Sequence, residues 1–244
     1  MRKLVVAWGV LLFTASAFAQ NECEFASKEA AEKLEQALKS APTCSKAAAI
    51  LSRCRWGSSA DVGFASIVLE KCEHVLLPKL TPNGNAHYRR ERELCAYEYA
   101  QQQGSLSLSE AAICAVYVAE RFTTKPELAE APAPRASFDC AKARTTLENA
   151  VCTDDALGRA DIVLDRAYRP LLREMPPEKR ALLIKKQKAW CAQVEKKCGA
   201  STDPLTAATR ECARKEFEAR FAFLDGCSVG GPEECLFQLQ SDNP

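Results

Sequence analysis

The feature that most constrains this chain is its cysteine content. It has 13 cysteines in 244 residues, and no two of them have CxxC spacing. So many cysteines without such close pairs are typical neither of a cytosolic enzyme nor of zinc ribbons. Cysteines in this number are typical of disulfide-bonded proteins in an oxidising compartment. Because the count is odd, at least one thiol has no partner within the chain.

The first 19 residues have the pattern of a signal peptide. Arg2 and Lys3 precede an apolar run from Leu4 to Phe13, and Ala17-Phe18-Ala19 supplies a small-x-small cleavage motif. The run is too short for a membrane span, which needs about 20 apolar residues. Polar residues precede Cys23, and this disfavours a lipoprotein. We therefore predict a cleaved signal peptide, no membrane span and a periplasmic or secreted protein.

Helical patterns dominate the rest of the chain, and strand patterns are nearly absent. Apolar residues three and four apart predict helices in two blocks, 20–122 and 137–227. A proline-rich stretch at 123–136 is predicted to be a linker, and 228–244 a tail. The expected fold class is all-α, with two tandem small disulfide-stapled helical domains after a signal peptide. Helices are predicted over 28–38, 45–54, 60–77, 85–103, 109–122, 154–175, 178–198 and 204–225.

The two blocks resemble each other. Cys44-Ser45-Lys46 matches Cys140-Ala141-Lys142, and Ile67-Val68-Leu69-Glu70 matches Ile162-Val163-Leu164-Asp165. Other matches in the same order are Cys54 with Cys152, Cys95 with Cys191, Cys114 with Cys212, and Arg121-Phe122 with Arg220-Phe221. A constant order with a nearly constant offset predicts an internal duplication, in which the first block is the divergent copy.

The second block also resembles a known family. It contains Cys140, Cys152, Trp190, Cys198 and Cys212 in that order, with Leu164-Asp165-Arg166-Ala167-Tyr168 between the second and third. This pattern is similar to the lysozyme inhibitor LprI-type domain, a small all-α, disulfide-stapled module of exported bacterial proteins. The resemblance covers about residues 137 to 225. It implies a binding protein whose candidate target is a lysozyme-type muramidase.

The resemblance also implies two disulfides, Cys140–Cys152 and Cys198–Cys212. By analogy, the first block is expected to form Cys44–Cys54 and Cys95–Cys114, and Cys23–Cys72 would complete that block. Cys191 shares a helix face with Cys198, so we expect it to reach Cys227 on the next helix. Cys235 would then be the odd thiol, either free or linking two chains.

Other site classes find little support. Lys and Arg number 33 and Asp and Glu 32, and loss of Arg2 and Lys3 changes the formal charge from +1 to −1. This balance disfavours nucleic-acid binding. No nucleophile–base pattern or glycine-rich phosphate loop is present, so we predict no enzyme activity, cofactor or metal. We expect His74 and His87 on the surface, Asp154 and Asp155 at a helix start, and the lysines from 185 to 197 on a solvated face.

Two functional hypotheses follow. The first is an exported non-enzymatic binding protein of the bacterial cell envelope, with lysozyme inhibition as its candidate activity. The alternative is a structural or interaction module of the envelope with no inhibitory activity. Lysozymes are generally basic, so a nearly neutral chain lacks the charge complementarity that accelerates association.

Overall fold

The computed structural model describes residues 23, 30–100, 104–201 and 204–230, with side chains up to 227. Over these ranges the protein is all-α, as predicted, and it has no strand. The α-helices are α1 (Ala30–Ser40), α2 (Cys44–Cys54), α3 (Ala60–Leu76), α4 (Pro82–Tyr99), α5 (Ser105–Thr124), α6 (Thr146–Thr153), α7 (Asp155–Glu174), α8 (Pro177–Cys198) and α9 (Ala207–Gly230). Short 3₁₀ helices cover Leu77–Lys79, Pro126–Ala129 and Cys140–Lys142. The predicted signal peptide lies outside the described residues.

Helix α6 is not among the helices predicted from the sequence. Its signal is a capping box, in which Thr145 Oγ1 accepts from the Glu148 N–H and the Glu148 carboxylate accepts from the Thr145 N–H. Helix α7 begins one residue later than predicted. Thr153 is the last residue of α6, and Asp154 caps α7 by accepting from two backbone N–H groups at 3.0 Å. Aspartate is favourable there because of the helix dipole.

The apolar side chains form two cores, one in each block. The first lies among α1 to α5 and includes Leu34, Leu38, Leu51, Val68 and Phe122. The second lies among α6 to α9 and includes Leu157, Leu171, Leu183, Phe217 and Leu224. Burial of each such side chain contributes roughly 1.5–3 kcal/mol. Both blocks contain three long helices in the same order, but the duplication and the independent folding of the two blocks stay predictions.

Two of the disulfides expected in the first block are wrong. The structure pairs Cys23 with Cys54 and Cys44 with Cys72, not Cys44 with Cys54 and Cys23 with Cys72. The physical reason is that Cys44 and Cys54 are the two ends of α2. At 1.5 Å per residue these ends lie about 15 Å apart, whereas a disulfide needs Cα atoms within about 7 Å.

Of the other four expected disulfides, three are present and one is wrong. The expected Cys95–Cys114, Cys140–Cys152 and Cys198–Cys212 bonds are present. The expected Cys191–Cys227 bond is wrong, because Cys191 is a free, exposed thiol and Cys227 is disulfide-bonded. Measured from the Cys198–Cys212 bridge, Cys191 lies about 10 Å along α8 and Cys227 about 22 Å along α9. The expected odd thiol, Cys235, lies outside the described residues.

The predicted linker is shifted toward the C-terminus by two to three residues and is packed against both blocks. Residues 123 and 124 belong to α5, so the connection, which we call the strap, is 125–139. Its Ala129 carbonyl accepts from the N–H and the hydroxyl of Thr81, at 3.1 and 2.9 Å. A Cβ on Gly84 would lie 1.8 Å from that carbonyl oxygen, and one on Gly158 would lie 2.1 Å from the Arg135 carbonyl oxygen. The strap backbone therefore contacts α4 and α7 at positions that only glycine can occupy.

A network of charged side chains joins the blocks beside the strap. The buried Glu91 of α4 accepts from Arg121 of α5 at 2.5 Å and from Arg166 of α7 at 2.9 Å. Arg166 also donates to Glu98, further along α4, at 3.0 Å. Leu94 lies between these two carboxylates in sequence and packs into the core of the second block. Helix α4 thus takes part in both blocks.

Substitution of the two strap glycines tests this packing. We expect Gly84→Ala and Gly158→Ala each to destabilise the protein by roughly 1–3 kcal/mol, because the added methyl group overlaps a backbone carbonyl. For a chain of this size, thermal unfolding should then shift down by roughly 2–4 °C per kcal/mol, measured by circular dichroism. The control is Gly63→Ala in α3, where nothing lies within 4 Å of the new methyl. This variant should be neutral or more stable, and equal behaviour of all three variants would contradict the packing.

The hydrogen bond between the strap and Asp161 of α7 gives a pH-dependent prediction. The Ser137 N–H donates to the Asp161 carboxylate at 2.6 Å, and burial raises the pKa of this carboxyl even though the hydrogen bond opposes the shift. Well below pH about 4 the group is protonated in both states, whereas at higher pH its ionisation costs the folded state more than the unfolded chain. Asp161→Asn removes that cost and keeps an acceptor for Ser137.

We therefore expect the unfolding temperature of Asp161→Asn, relative to the native protein, to rise between about pH 4 and pH 7. Asp161→Ala lacks the acceptor and should be less stable than Asp161→Asn throughout this range. A difference between Asp161→Asn and the native protein that does not change with pH would refute the assignment.

Candidate partner-binding surface

The most constrained loop of the first block joins α2 to α3. Its centre is the carboxylate of Asp61, which is fully buried near the start of α3. The carboxylate accepts from the backbone N–H groups of Trp56, Gly57 and Ser58, at 2.8–3.3 Å, and from the Ser109 hydroxyl at 2.6 Å. One buried anion with four donors fixes the loop backbone and joins it to the start of α5.

This loop presents a large aromatic side chain to solvent. Trp56 is 46% exposed, although its ring edge packs on Phe64 with 5.2 Å between centroids. Gly57 follows with φ +65°, a left-handed conformation that favours glycine, and a Cβ there would touch Leu106 at 3.5 Å. Leu106 and Tyr117 on α5 are also exposed. Trp56, Leu106 and Tyr117 together are called the aromatic seam.

Two polar contacts join α2 and the residue after it to α5 along the aromatic seam. The Ser52 and Tyr117 hydroxyls share a hydrogen bond of 2.8 Å, and Arg55 donates to both oxygens of Glu110 at 2.9 and 3.1 Å. Exposed bonds of this kind contribute little to stability. They do restrict the side chains beside Trp56, so the surface is preorganised for contact with a partner.

The residues that carry the family resemblance join and pack the helices of the second block. The Cys140–Cys152 bond joins the strap end to α6, and Cys198–Cys212 joins α8 to α9. Trp190 is partly buried, 5.4 Å from the Phe217 ring, with the Arg220 guanidinium 5.6 Å above its ring. The side chain therefore packs α8 on α9. Trp190 is prominent in the sequence because it belongs to the family pattern, whereas no local pattern reveals that Asp61 and the distant Ser109 fix the Trp56 loop.

The two histidines considered in the sequence do not form a site together. His74 is exposed, as expected, but the expectation for His87 is wrong. His87 is buried against Phe122 with 5.0 Å between ring centroids, and this burial lowers the pKa of its imidazole. Among the described residues no group of three histidine, cysteine or acidic side chains could hold a metal ion. Within the same ranges no helix is long and apolar enough to cross a membrane.

The lysines of α8 lie on its outer side. Lys185, Lys188 and Lys196 are exposed, and Lys197 pairs with Glu216 of α9 at 2.6 Å. The arrangement fits the solvated face expected from the sequence. Asp154 and Asp155 likewise stand at the start of α7, where Asp154 is the cap.

Comparison with known proteins locates the family resemblance. Residues 139–224 match the family model described as Lysozyme inhibitor LprI. The resemblance seen in the sequence is confirmed for this segment, which runs from the strap end through α6, α7 and α8 into α9. No curated protein and no solved structure matches the chain. The aromatic seam lies outside the matched segment.

Removal of the Asp61 carboxylate tests the constrained loop. Asp61→Ala leaves buried N–H groups without an acceptor, so we expect a loss of about 3 kcal/mol and a fall of roughly 6–12 °C in the unfolding temperature. In a Trp190→Phe background, Trp56 is the only tryptophan of the chain after the signal peptide. Its emission should then shift to the red as the loop loosens.

Ser109→Ala is the matched control for this experiment. It removes one of the four donors and leaves the carboxylate in place, so the expected loss is only about 1 kcal/mol. Unchanged stability and Trp56 emission in Asp61→Ala would show that the loop is held by other contacts.

Proposed function

We propose that this protein is an exported, non-enzymatic binding protein of the cell envelope that recognises and inhibits a lysozyme-type muramidase. The observation that supports the proposal is the match of residues 139–224 to the LprI lysozyme-inhibitor family. The abundance of disulfides supports an oxidising compartment such as the periplasm or the extracellular space. The signal-peptide pattern of residues 1–19 supports export.

Inhibition by such a molecule requires only a rigid surface that covers the muramidase cleft. The disulfides and the Asp61-bound loop hold the surface in one conformation before contact, which lowers the entropy cost of binding. Tryptophan and tyrosine are the residue types enriched among side chains that dominate binding energies. We therefore propose the aromatic seam, with Trp56 as anchor, as a contact surface in addition to the LprI-type segment.

The charge of the protein bears on the kinetics of this binding. Without the signal peptide the formal charge is −1, so a basic muramidase would not be attracted strongly over long range. We expect association at roughly 10⁵–10⁶ M⁻¹s⁻¹, the range of unsteered protein pairs. The rate should depend weakly on salt between about 0.05 and 0.3 M, roughly less than threefold. Surface plasmon resonance at several salt concentrations measures both quantities.

A lysis assay tests the function directly. The mature protein is titrated against several lysozymes acting on peptidoglycan, and we expect inhibition at or below micromolar concentration that is lost after reduction of the disulfides. Trp56→Ala should weaken inhibition by about tenfold or more, equivalent to at least about 1.4 kcal/mol. Val75→Ala is the control, because Val75 is also an exposed apolar residue but lies near the other end of α3.

Several outcomes would contradict the proposal. Absence of inhibition and of binding at micromolar excess against all the lysozymes would leave the alternative, an interaction module without inhibitory activity. Equal losses in Trp56→Ala and Val75→Ala would remove the aromatic seam from the contact surface and leave the LprI-type segment as the site to search.

A further inference from the structure

A cleft lies where the strap crosses between the blocks. It has a volume of about 680 Å³. Helix α4 forms one wall with Arg89, Arg90 and Glu93, and the strap forms the other with Pro132, Pro134 and Arg135. The end of α6 and the start of α7 close the floor. Clefts of this size at the junction of two cores are common ligand sites.

The two carboxylates on the floor already have cationic partners. Asp155 is bonded to Arg90 at 2.5 Å and to Arg159 at 2.6 Å. Asp154 caps α7 and lies 3.5 Å from Arg210. Arg90 is only 10% exposed, so its ion pair is fixed in the wall. These groups therefore add little negative charge to the interior of the cleft.

The remaining charges leave an excess of positive charge. Arg89 and Arg135 make no ion pair or side-chain hydrogen bond with any described residue, and Glu93 is the one acidic residue of the lining in the same condition. The position of Arg135 is constrained, because its own carbonyl is packed against Gly158. Arg89 on α4 and Arg135 on the strap thus line the cleft, and Glu93, one turn along α4 from Arg89, is the one lining carboxylate that offsets their charge.

We propose that this cleft binds a small ligand with two or more carboxylate groups, held by Arg89 and Arg135. Guanidinium groups bind carboxylates through two parallel hydrogen bonds, which gives direction as well as charge. Pro132 and Pro134 provide an apolar wall for the carbon skeleton that joins the carboxylates. The site does not depend on the proposed inhibition of lysozymes, and neither Arg89 nor Arg135 belongs to the aromatic seam.

Isothermal titration calorimetry of the mature full-length protein tests the proposal, with tricarballylate as the carboxylate probe and pyrophosphate as the phosphate probe. We expect saturable binding of tricarballylate that is tighter than that of pyrophosphate and weakens as salt is added. Arg89→Gln and Arg135→Gln should each reduce the affinity several-fold, and the double variant at least about tenfold. The control is Arg53→Gln, because Arg53 is an exposed arginine of α2 that does not line the cleft.

Three results would overturn the proposal. They are the absence of saturable tricarballylate binding, tighter binding of pyrophosphate, or an equal loss of affinity in Arg53→Gln and the double variant. The double variant is also tested in the lysis assay, where we expect unchanged inhibition. Failure of the ligand site and failure of lysozyme inhibition therefore give separate results.

Discussion

The arrangement of the molecule depends on two places where the backbone of the strap touches a helix without an intervening side chain. Opposite Gly84 and Gly158, the carbonyls of Ala129 and Arg135 occupy the volume where any other residue would carry a Cβ. Contacts this close leave the strap little freedom to slide, and the hydrogen bonds of Thr81 and Asp161 fix it lengthwise. A segment that its prolines mark as a linker therefore acts as a brace. The cleft exists because this brace crosses between α4 and α7 and does not fill the space beside them.

The charged network beside the strap has a different energetic role. Glu91 is buried with Arg121 and Arg166, and desolvation of such groups offsets most of the gain from their mutual attraction. A buried ion set of this kind adds little net stability, but any other arrangement of α4 and α7 would leave Glu91 with an unmatched charge. Burial raises the pKa of Glu98 even beside Arg166, which shows how strongly this junction is desolvated. The network therefore favours one relative position of the helices, and burial of Leu94 in the core of the second block stabilises that position by roughly 1.5–3 kcal/mol.

The sequence predicted the helices well because their determinants are local. Pro82, Pro177 and the apolar spacing mark helix starts and faces, and these signals act within a few residues. The disulfides of the first block were predicted less well, although the predicted helices already excluded one of the expected pairs. A helix over 45–54 already places Cys44 and Cys54 at opposite ends of a rod, so their pairing was excluded by the predicted secondary structure itself. The Asp61 site could not be predicted, because its donors come from residues 56–58 and from Ser109, which tertiary packing alone brings together.

The division of features between the blocks limits how the protein can act on a partner. The LprI match covers the second block, whereas the exposed tryptophan on a fixed loop belongs to the first. If the connection were flexible, the two surfaces would behave as separate weak binders joined by a linker. Since the strap and the Glu91 network fix α4 against α7, a partner that contacts both surfaces meets them at one distance and one orientation. Such rigidity increases affinity only for a partner whose shape matches and excludes others, which is the behaviour expected of a specific inhibitor.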